Sequence, residues 1–394
     1  MREKKLPRVV FSIHFLVLMT YSSLVALTLL PLFFERLGGS PRQIGFLVGL
    51  FSFASFACRP FAGWLLSRVH PKKVLLAGLF ALQGITFLYL FVQKLNWLVI
   101  FIRVLHGASF SIFILAALLI VIMVAREEDR AYAIGVVSTG FLLPFLLVPF
   151  IGEEIIKNLG FSYFFLFSIV LCVIPFFFSL SFKITYPRFP PNIDGQNPSF
   201  FRLLQQKRIK SIIVLTFIFE IGLSSSLSFV PLLASDGSGM RSGYYFTFLA
   251  LTAVFIRLFG GRRLKSWGNP QWIPPAFCFL SLGGISIYFS NTNFVLALSG
   301  IIWGIGVGIL YPHLSALIVK GVEIREKGKI LSLFASSVDL GFAVGPIAFG
   351  WLSQSLSVRF SFLPFALIVL FSSLAMILWG RPSLFAEEMI NKEG

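Results

Sequence analysis

The sequence is poor in charged residues and in cysteine. Only 12% of its 394 residues are charged, whereas 57% are hydrophobic, and its mean hydropathy is +0.89. A water-soluble globular protein cannot bury so much apolar area, so this class is excluded. The cysteines offer no metal-ligand spacing and no disulfide framework, since each lies within an apolar run: Cys58, Cys172 and Cys278.

Acidic residues are also scarce, with 16 Asp and Glu against 33 Lys and Arg, which gives a formal charge of +17. On a soluble domain this excess would indicate a nucleic-acid partner. In a chain this apolar it is explained by membrane topology, because cytoplasmic loops of membrane proteins are rich in Lys and Arg. We therefore expect a lipid bilayer as the surroundings and no nucleic-acid partner.

Motifs for catalysis and for nucleotide binding are missing. The four histidines show no His-x-x-x-His spacing, and the sequence contains no Cys-x-x-Cys and no Gly-x-x-x-x-Gly-Lys-Ser/Thr run. We expect no enzymatic activity, no metal and no cofactor. A phosphate-binding loop on this chain is excluded as the energy source.

Long apolar runs separated by Gly, Pro and charge are what the sequence does contain. A membrane-spanning helix needs about 20 apolar residues, and the first run is too long for a signal peptide. The pattern predicts an all-α polytopic membrane protein with twelve transmembrane helices, at about 8–34, 44–66, 73–93, 97–124, 131–155, 160–182, 209–234, 243–264, 272–290, 294–319, 329–354 and 358–380.

The distribution of Lys and Arg between the loops predicts the orientation. With the N-terminus in the cytoplasm, 24 of these residues lie on the cytoplasmic side and six on the other. This bias places both termini in the cytoplasm. We expect a multi-pass protein of the bacterial inner membrane.

A proline-rich polar break divides the helices six and six. It predicts an N-terminal half at 1–182, a cytoplasmic linker at 183–208 and a C-terminal half at 209–394. A short repeat supports two pseudo-symmetric halves, an architecture of secondary transporters. Four residues of predicted helix 2 recur 198 positions later in predicted helix 8: Gly45, Arg59, Phe61 and Gly63 recur as Gly243, Arg257, Phe259 and Gly261.

Several segments together are similar to motifs of the major facilitator superfamily. They are RPFAGWLLSRVHPKK at 59–73, RVLHG at 103–107, GILYP at 308–312 and DLGFAVGP at 339–346. The chain most resembles bacterial twelve-helix sugar-efflux and drug-efflux permeases. The resemblance implies transport by alternating access and a cytoplasmic gate motif that includes Arg59, Gly63, Arg68, Lys72 and Lys73.

The sequence departs from the family pattern at two places. Ser67 replaces the acidic residue of the loop motif and His70 replaces the following glycine. A substitute latch to Glu127, Glu128 and Asp129 is one interpretation of the basic loop, and the positive-inside bias alone is the other. The Gly-Pro signature that the family's antiporters carry in helix 5 has lost its first glycine, which weakens an assignment to antiport.

Ionisable residues inside spans indicate function, because placing one in hydrocarbon costs about 2.5–3.5 kcal/mol. Glu220 and Asp339 are the carboxylates at mid-membrane depth. Each is a candidate proton carrier, with Asp339 first, because a carboxyl group can bind a proton on one side and release it on the other. Alternatively, either is a fixed partner of Arg103 or His313.

The remaining candidates concern the cavity and helix packing. The resemblance implies that helices 1 and 10 lie around the cavity. We expect substrate contacts from five residues, with simple packing as the alternative: Tyr21, Arg103, His106, Tyr311 and His313. Small residues and a proline suggest close packing or a hinge: Gly107, Gly341, Gly345 and Pro346. Arg257, like Arg59, is either a snorkelling anchor or a gate residue.

Together these features predict a secondary active transporter of a small molecule, coupled to protons and functional as a monomer. A passive uniporter and a non-transporting sensor on the same fold are the alternatives. The substrate, the direction and the coupling mode lie beyond what the sequence specifies, because one scaffold serves many substrates.

Overall fold

A computed structural model describes residues 6–126, 129–181, 205–237, 239–260, 270–320, 322 and 324–375. Within these ranges the regular structure is helical throughout, and no strand is present. Ten helices are long and apolar enough to cross a membrane. Two shorter helices occupy the positions of the other two predicted spans, so the prediction of a twelve-helix membrane protein is confirmed.

The helices form two compact units, 1–191 and 192–394. The predicted linker lies largely outside the described residues, so the predicted bounds of the two halves stay a prediction. The first unit contains α1 (Arg8–Arg36), α2 (Pro41–Arg68), α3 (Pro71–Phe91), α4 (Trp97–Val124), α5 (segments Arg130–Thr139 and Val148–Leu159) and α6 (Phe161–Ser181). The second contains α7 (Lys207–Ser235), α8 (Ser242–Phe259), α9 (Ile273–Tyr288), α10 (Asn293–Val319), α11 (Ile324–Leu356) and α12 (Val358–Ala375).

Side-chain caps begin several helices. Ser40 starts α2 with a capping box, in which its hydroxyl accepts from the Gln43 N–H and its own N–H donates to the Gln43 side chain. Asn96 caps α4 through the N–H of Leu98 at 3.1 Å. Each cap satisfies a backbone donor that the first helical turn leaves without a partner.

Irregular turns next to a proline interrupt α1 and α5. A proline ring clashes with the carbonyl four residues earlier. Pro31 accordingly follows a 3-10 turn at Leu27–Leu29, and Pro144 follows the end of the first helical segment of α5, Arg130–Thr139. A second segment, Val148–Leu159, completes α5. The span predicted at 131–155 is therefore present as two helical segments joined by an irregular turn.

Close helix pairs build each unit. In the first unit α2 packs on α4, and the apolar core lies among α1, α3 and α4 around residues such as Val17, Leu75 and Phe113. In the second unit α8 packs on α10, and α7 packs on α11. Small residues at these crossings let the backbones approach, as is usual where lipid gives no hydrophobic drive for association.

Candidate functional site

Three ionisable side chains of the second unit, one each on α7, α8 and α11, interact electrostatically. Glu220 lies on α7 and is 1% exposed, and its Oε2 atom has no hydrogen-bond partner among the described residues. Arg257, near the end of α8, attracts Glu220, whereas Asp339 on α11 repels it. The Nε atom of Arg257 is also buried and lacks a hydrogen-bond partner within the described part of the chain. The two predicted proton carriers are thus neighbours, with a guanidinium beside them.

Two glycines bring α11 against α7 and so place Asp339 beside Glu220. A Cβ atom added at Gly341 would lie 2.6 Å from the Cβ of Glu220, and one at Gly345 would lie 2.5 Å from the carbonyl oxygen of Ile221. The Ser224 hydroxyl on α7 donates to the carbonyl of Gly341 at 3.2 Å. Any larger side chain would push the helices apart.

Both glycines lie in close contact with α7 within one continuous helix. α11 runs as one helix from Ile324 to Leu356, with Pro346 inside it. Close packing is one of the two roles that the sequence suggests for these glycines, and a hinge there stays a prediction.

A π-helical turn at Ile256–Gly260 carries Arg257. Such turns are rare and frequently occur at functional sites. The guanidinium carbon lies 5.5 Å from the ring centroid of Tyr311 on α10, within the range of cation–π attraction. That ring in turn meets Phe334 of α11 edge-on at 5.7 Å. Tyr311 is therefore part of the same site as Arg257 and Glu220.

His313 lies on the same helix as Tyr311 but is fully buried. Its Nδ1 atom is 2.8 Å from the carbonyl oxygen of Ile309, four residues earlier on α10. This bond holds the ring against its own helix. Contact between His313 and a substrate would require movement of the surrounding side chains.

Arg103 joins three helices of the first unit. Its Nε donates to the carbonyl of Leu47 at 2.8 Å, and its Nη2 donates to the carbonyl of Val48 at 3.0 Å, both on α2. Its Nη1 donates to the hydroxyl of Tyr89 on α3 at 3.4 Å, and its guanidinium lies 5.0 Å from the ring centroid of Phe51. The carboxylate partner that the sequence suggested is replaced, among the described residues, by these neutral acceptors.

Aromatic rings surround the other predicted contacts of the first unit. His106 is 1% exposed and meets Phe51 edge-on at 5.3 Å. Tyr21 is half-buried, and its ring lies 6.1 Å from Phe110 on α4 and 4.9 Å from Phe141 at the break in α5. Tyr21 is consequently more accessible than Arg103 and His106, which are fixed inside the unit.

The internal repeat extends to the helix crossings themselves. In the first unit a Cβ atom added at Gly107 would strike the carbonyl oxygen of Phe51, and in the second unit one at Gly304 would strike that of Leu249 at 2.6 Å. Phe51 and Leu249 are 198 residues apart, and the two glycines are 197 apart. The α2–α4 and α8–α10 pairs thus cross at equivalent positions.

The predicted cytoplasmic gate motif lies at the end of α2 and the start of α3. The Arg68 guanidinium lies 4.9 Å from the ring centroid of Trp64, and His70 caps α3 by accepting the Lys72 N–H at 3.3 Å. Gly63 has no atom within 4 Å of an added Cβ, so packing does not require a glycine there. Arg59 lies one turn before Gly63 in α2, and Lys73 follows Lys72 in α3. Glu127 and Glu128, the suggested latch partners, lie outside the described residues.

Sequence reasoning named Arg257 as an anchor or gate residue and missed its association with Glu220 and Tyr311. Its signal was the 198-residue repeat, which marked the position but did not reveal its neighbours. Within the described residues no group of three or more His, Cys, Asp and Glu could hold a metal ion. What the site offers is two carboxyl groups, one guanidinium and a phenol in a low-dielectric setting.

Known transport proteins are similar to the chain over most of its length. It is 22% identical to the staphylopine export protein of Staphylococcus aureus, covering 91% of this chain and 92% of that protein. It is 28% identical to the multidrug resistance protein MdtG of Yersinia enterocolitica, covering 88% and 86%. The structure of the human organic anion transporter MFSD10 has the same fold, with a TM-score of 0.69, 18% identity and coverage of 93% and 98%.

These relatives are multi-pass transporters of small molecules rather than enzymes, which agrees with the spans and the buried charges described above. The sequence model described as Major Facilitator Superfamily matches residues 10–322 and 275–388. The matched ranges include both six-helix sets and every motif on which the resemblance rested. The chain therefore belongs to the Major Facilitator Superfamily, a family of membrane-embedded transporters.

Proposed function

We propose that the protein exports a small molecule in exchange for protons, by alternating access, with Asp339 carrying the proton. Export rests on the relatives, which are an export protein and a multidrug resistance protein. Proton coupling rests on one observation, the meeting of Glu220, Asp339 and Arg257 inside the second unit. Glu220 is the second candidate for the proton carrier.

The charges of this site favour the uptake of one proton. With both carboxyl groups ionised, the three side chains carry a net charge of −1, and one proton makes them neutral. A net charge in a low-dielectric interior is costly, because Coulomb and solvation energies rise steeply as the dielectric constant falls. A proton on either carboxyl group makes these three side chains neutral, so one of the two is proposed as the group that exchanges its proton.

Asp339 is the better carrier of the two, because a proton must enter and leave. Its side chain is partly exposed, whereas Glu220 is 1% exposed. One charge moved across 100 mV is worth about 2.3 kcal/mol, which supports a concentration ratio of about fifty at one-to-one coupling.

The other predicted residues divide into two roles. Tyr21 and Tyr311 are proposed to contact the substrate, since both are half-buried and combine a ring with a polar tip. Arg103, His106 and His313 are buried, and we assign them to positioning the helices around the cavity. The cytoplasmic gate motif, defined above, is proposed to close the cytoplasmic side of a functional monomer in the bacterial inner membrane, with both termini inside.

The test begins with a ligand. A thermal-shift screen of amino acids, peptides, sugars and cationic dyes selects a compound, which is then radiolabelled. Purified protein in liposomes is assayed for counterflow at equal concentrations and for uptake with and without an imposed pH gradient. A proton-coupled transporter performs both, a uniporter shows counterflow but no response to the gradient, and a sensor shows neither.

The variant Asp339→Asn mimics the protonated carboxyl group permanently. It should abolish transport driven by the pH gradient and leave counterflow largely intact, because the substrate still crosses while the proton does not. Glu154→Gln on α5 serves as the matched control, since its carboxylate is already hydrogen-bonded to Asn158. If Asp339→Asn still concentrates the ligand against its gradient, the role passes to Glu220 or coupling is absent.

A further inference from the structure

Glu220 and Arg257 have opposite charges and attract each other, yet each holds a buried polar atom that makes no hydrogen bond within the described residues. The Oε2 atom of Glu220 and the Nε atom of Arg257 are both buried and lack a hydrogen-bond partner among the described residues. Buried polar atoms without a partner are rare in native proteins, since each costs about 1–3 kcal/mol. A pair of such atoms with opposite charge indicates a place where another molecule supplies the missing groups.

We infer that Glu220 and Arg257 are the two poles of a binding site for a zwitterion, a substrate that carries an ammonium group and a carboxylate. Glu220 would accept hydrogen bonds from the ammonium, and Arg257 would donate to the carboxylate. This inference rests on the proposed transport function, because Glu220 is reached only when the helices open. It adds a substrate class to the site that the proposal leaves undefined.

The surroundings of Arg257 suit a carboxylate. A guanidinium presents a planar fork that can bind both oxygens of a carboxylate. The Tyr311 ring lies 5.5 Å from the guanidinium carbon and restricts its orientation. The π-helical turn displaces Arg257 from regular helical register, which directs a single residue without changing the rest of α8.

The surroundings of Glu220 suit a cation. Asp339 adds a second negative charge nearby, so an ammonium group placed at Glu220 is attracted by both carboxylates. Gly341 presents no side chain to the Cβ of Glu220, which lets α11, the helix of Asp339, approach α7 closely. When Asp339 takes up a proton, the attraction for the ammonium weakens. A proton and the ammonium group of the substrate therefore oppose each other, as exchange requires.

The experiment uses two sets of isosteric probes on the full-length protein in detergent. One set is L-phenylalanine, phenethylamine and 3-phenylpropionate, and the other is L-norleucine, pentylamine and hexanoate. Each set compares a zwitterion with the same skeleton carrying only the ammonium or only the carboxylate. Affinities are read from the ligand-dependent rise in melting temperature, which follows from binding to the folded state alone.

We expect the zwitterion of at least one set to bind about ten- to a hundredfold more tightly than either single-charge analogue. Glu220→Gln should remove the advantage over the carboxylate probe, and Arg257→Gln the advantage over the amine probe. Glu154→Gln and Arg42→Gln, matched changes outside the site, should leave both preferences unchanged. Each variant is first checked for a single symmetrical peak in size-exclusion chromatography. The double variant Glu220→Arg, Arg257→Glu then tests whether binding of the zwitterion is restored when the two charges are exchanged.

The absence of any preference for the zwitterion in both sets overturns the inference. So does a preference that persists in Glu220→Gln and Arg257→Gln. If the preferences hold while a pH gradient drives no transport, the proposed proton coupling fails and the substrate class stands. If coupling through Asp339 is observed without any zwitterion preference, only the present inference fails.

Discussion

The glycine at the α2–α4 crossing supports a quantitative prediction. An added Cβ atom at Gly107 would lie 2.9 Å from the carbonyl carbon of Phe51 and 3.0 Å from the N atom of Ser55, besides striking the carbonyl oxygen of Phe51. All three are backbone atoms of α2, so no side-chain rotation relieves the clash. Gly107→Ala must therefore separate two helices or bend one of them.

The expected cost follows from two opposing effects. Overpacking costs typically 1–3 kcal/mol, and a backbone clash belongs at the upper end, about 3 kcal/mol. Alanine gains about 0.5–1 kcal/mol over glycine inside a helix. The net loss of about 2 kcal/mol corresponds to a melting temperature about 4–8 °C lower for a unit of this size. Thermal unfolding in detergent, followed by tryptophan fluorescence, measures it.

Gly84→Ala on α3 is the control, because no atom lies within 4 Å of an added Cβ there. Its melting temperature should stay unchanged or rise slightly. The repeat equivalent, Gly304→Ala, should be as harmful as Gly107→Ala, since its Cβ would lie 2.7 Å from the Cβ of Thr252. Should Gly107→Ala melt no lower than Gly84→Ala, the close crossing would not depend on glycine and the reasoning would be refuted.

Two further changes test other contacts. Arg103→Lys should lower the melting temperature and Arg103→Ala should lower it further, because one ammonium group cannot donate to acceptors on α2 and α3 together. If both variants melt at the wild-type temperature, these hydrogen bonds contribute no stability. Ser40→Ala should lower the free energy of unfolding by about 1 kcal/mol, because the α2 cap is lost, whereas Ser40→Asp should retain most of the stability that the cap provides. Equal melting temperatures of the two variants would show that packing alone holds this end of α2.

The twelve spans could be predicted because a bilayer imposes a length and a composition on each helix. The breaks in α1 and α5 could not, because six other helices contain an internal proline and stay continuous. Whether a proline breaks a helix depends on the neighbours that satisfy the freed carbonyl groups. In α1 and α5 each irregular segment contacts a helical segment of the other helix, a relationship that no local pattern reveals.

The sequence predicted which carboxylates belong to the candidate site but not which residues lie next to them. A carboxylate within an apolar run is conspicuous because its cost is intrinsic, and this identified Glu220 and Asp339. Their mutual proximity depends on Gly341 and on how far α11 slides along α7. The neutral partners of Arg103 were not predictable either. Two of them are backbone carbonyl groups, which every residue has, so the sequence carries no signal for which ones accept a hydrogen bond.

Arg103 and Arg257 differ in how their helices enter the membrane. On insertion scales an arginine costs at most about 2.5–3.5 kcal/mol, while each Leu, Ile, Phe or Val gains about 0.3–0.6. α4 holds eighteen such residues around Arg103, a gain of about 5–11 kcal/mol by the same scale. The translocon can therefore release α4 into lipid alone.

α8 has nine of these residues around Arg257, worth only about 3–5 kcal/mol, and it has the lowest mean hydropathy of the ten candidate spans. The net free energy of inserting α8 into the membrane is close to zero once Ser242, Gly243 and Thr247 are included. The preceding helix carries Glu220, whose opposite charge offsets the arginine when both enter as a hairpin. The carboxylate and guanidinium proposed to hold the substrate thus also tie the biogenesis of α8 to that of α7.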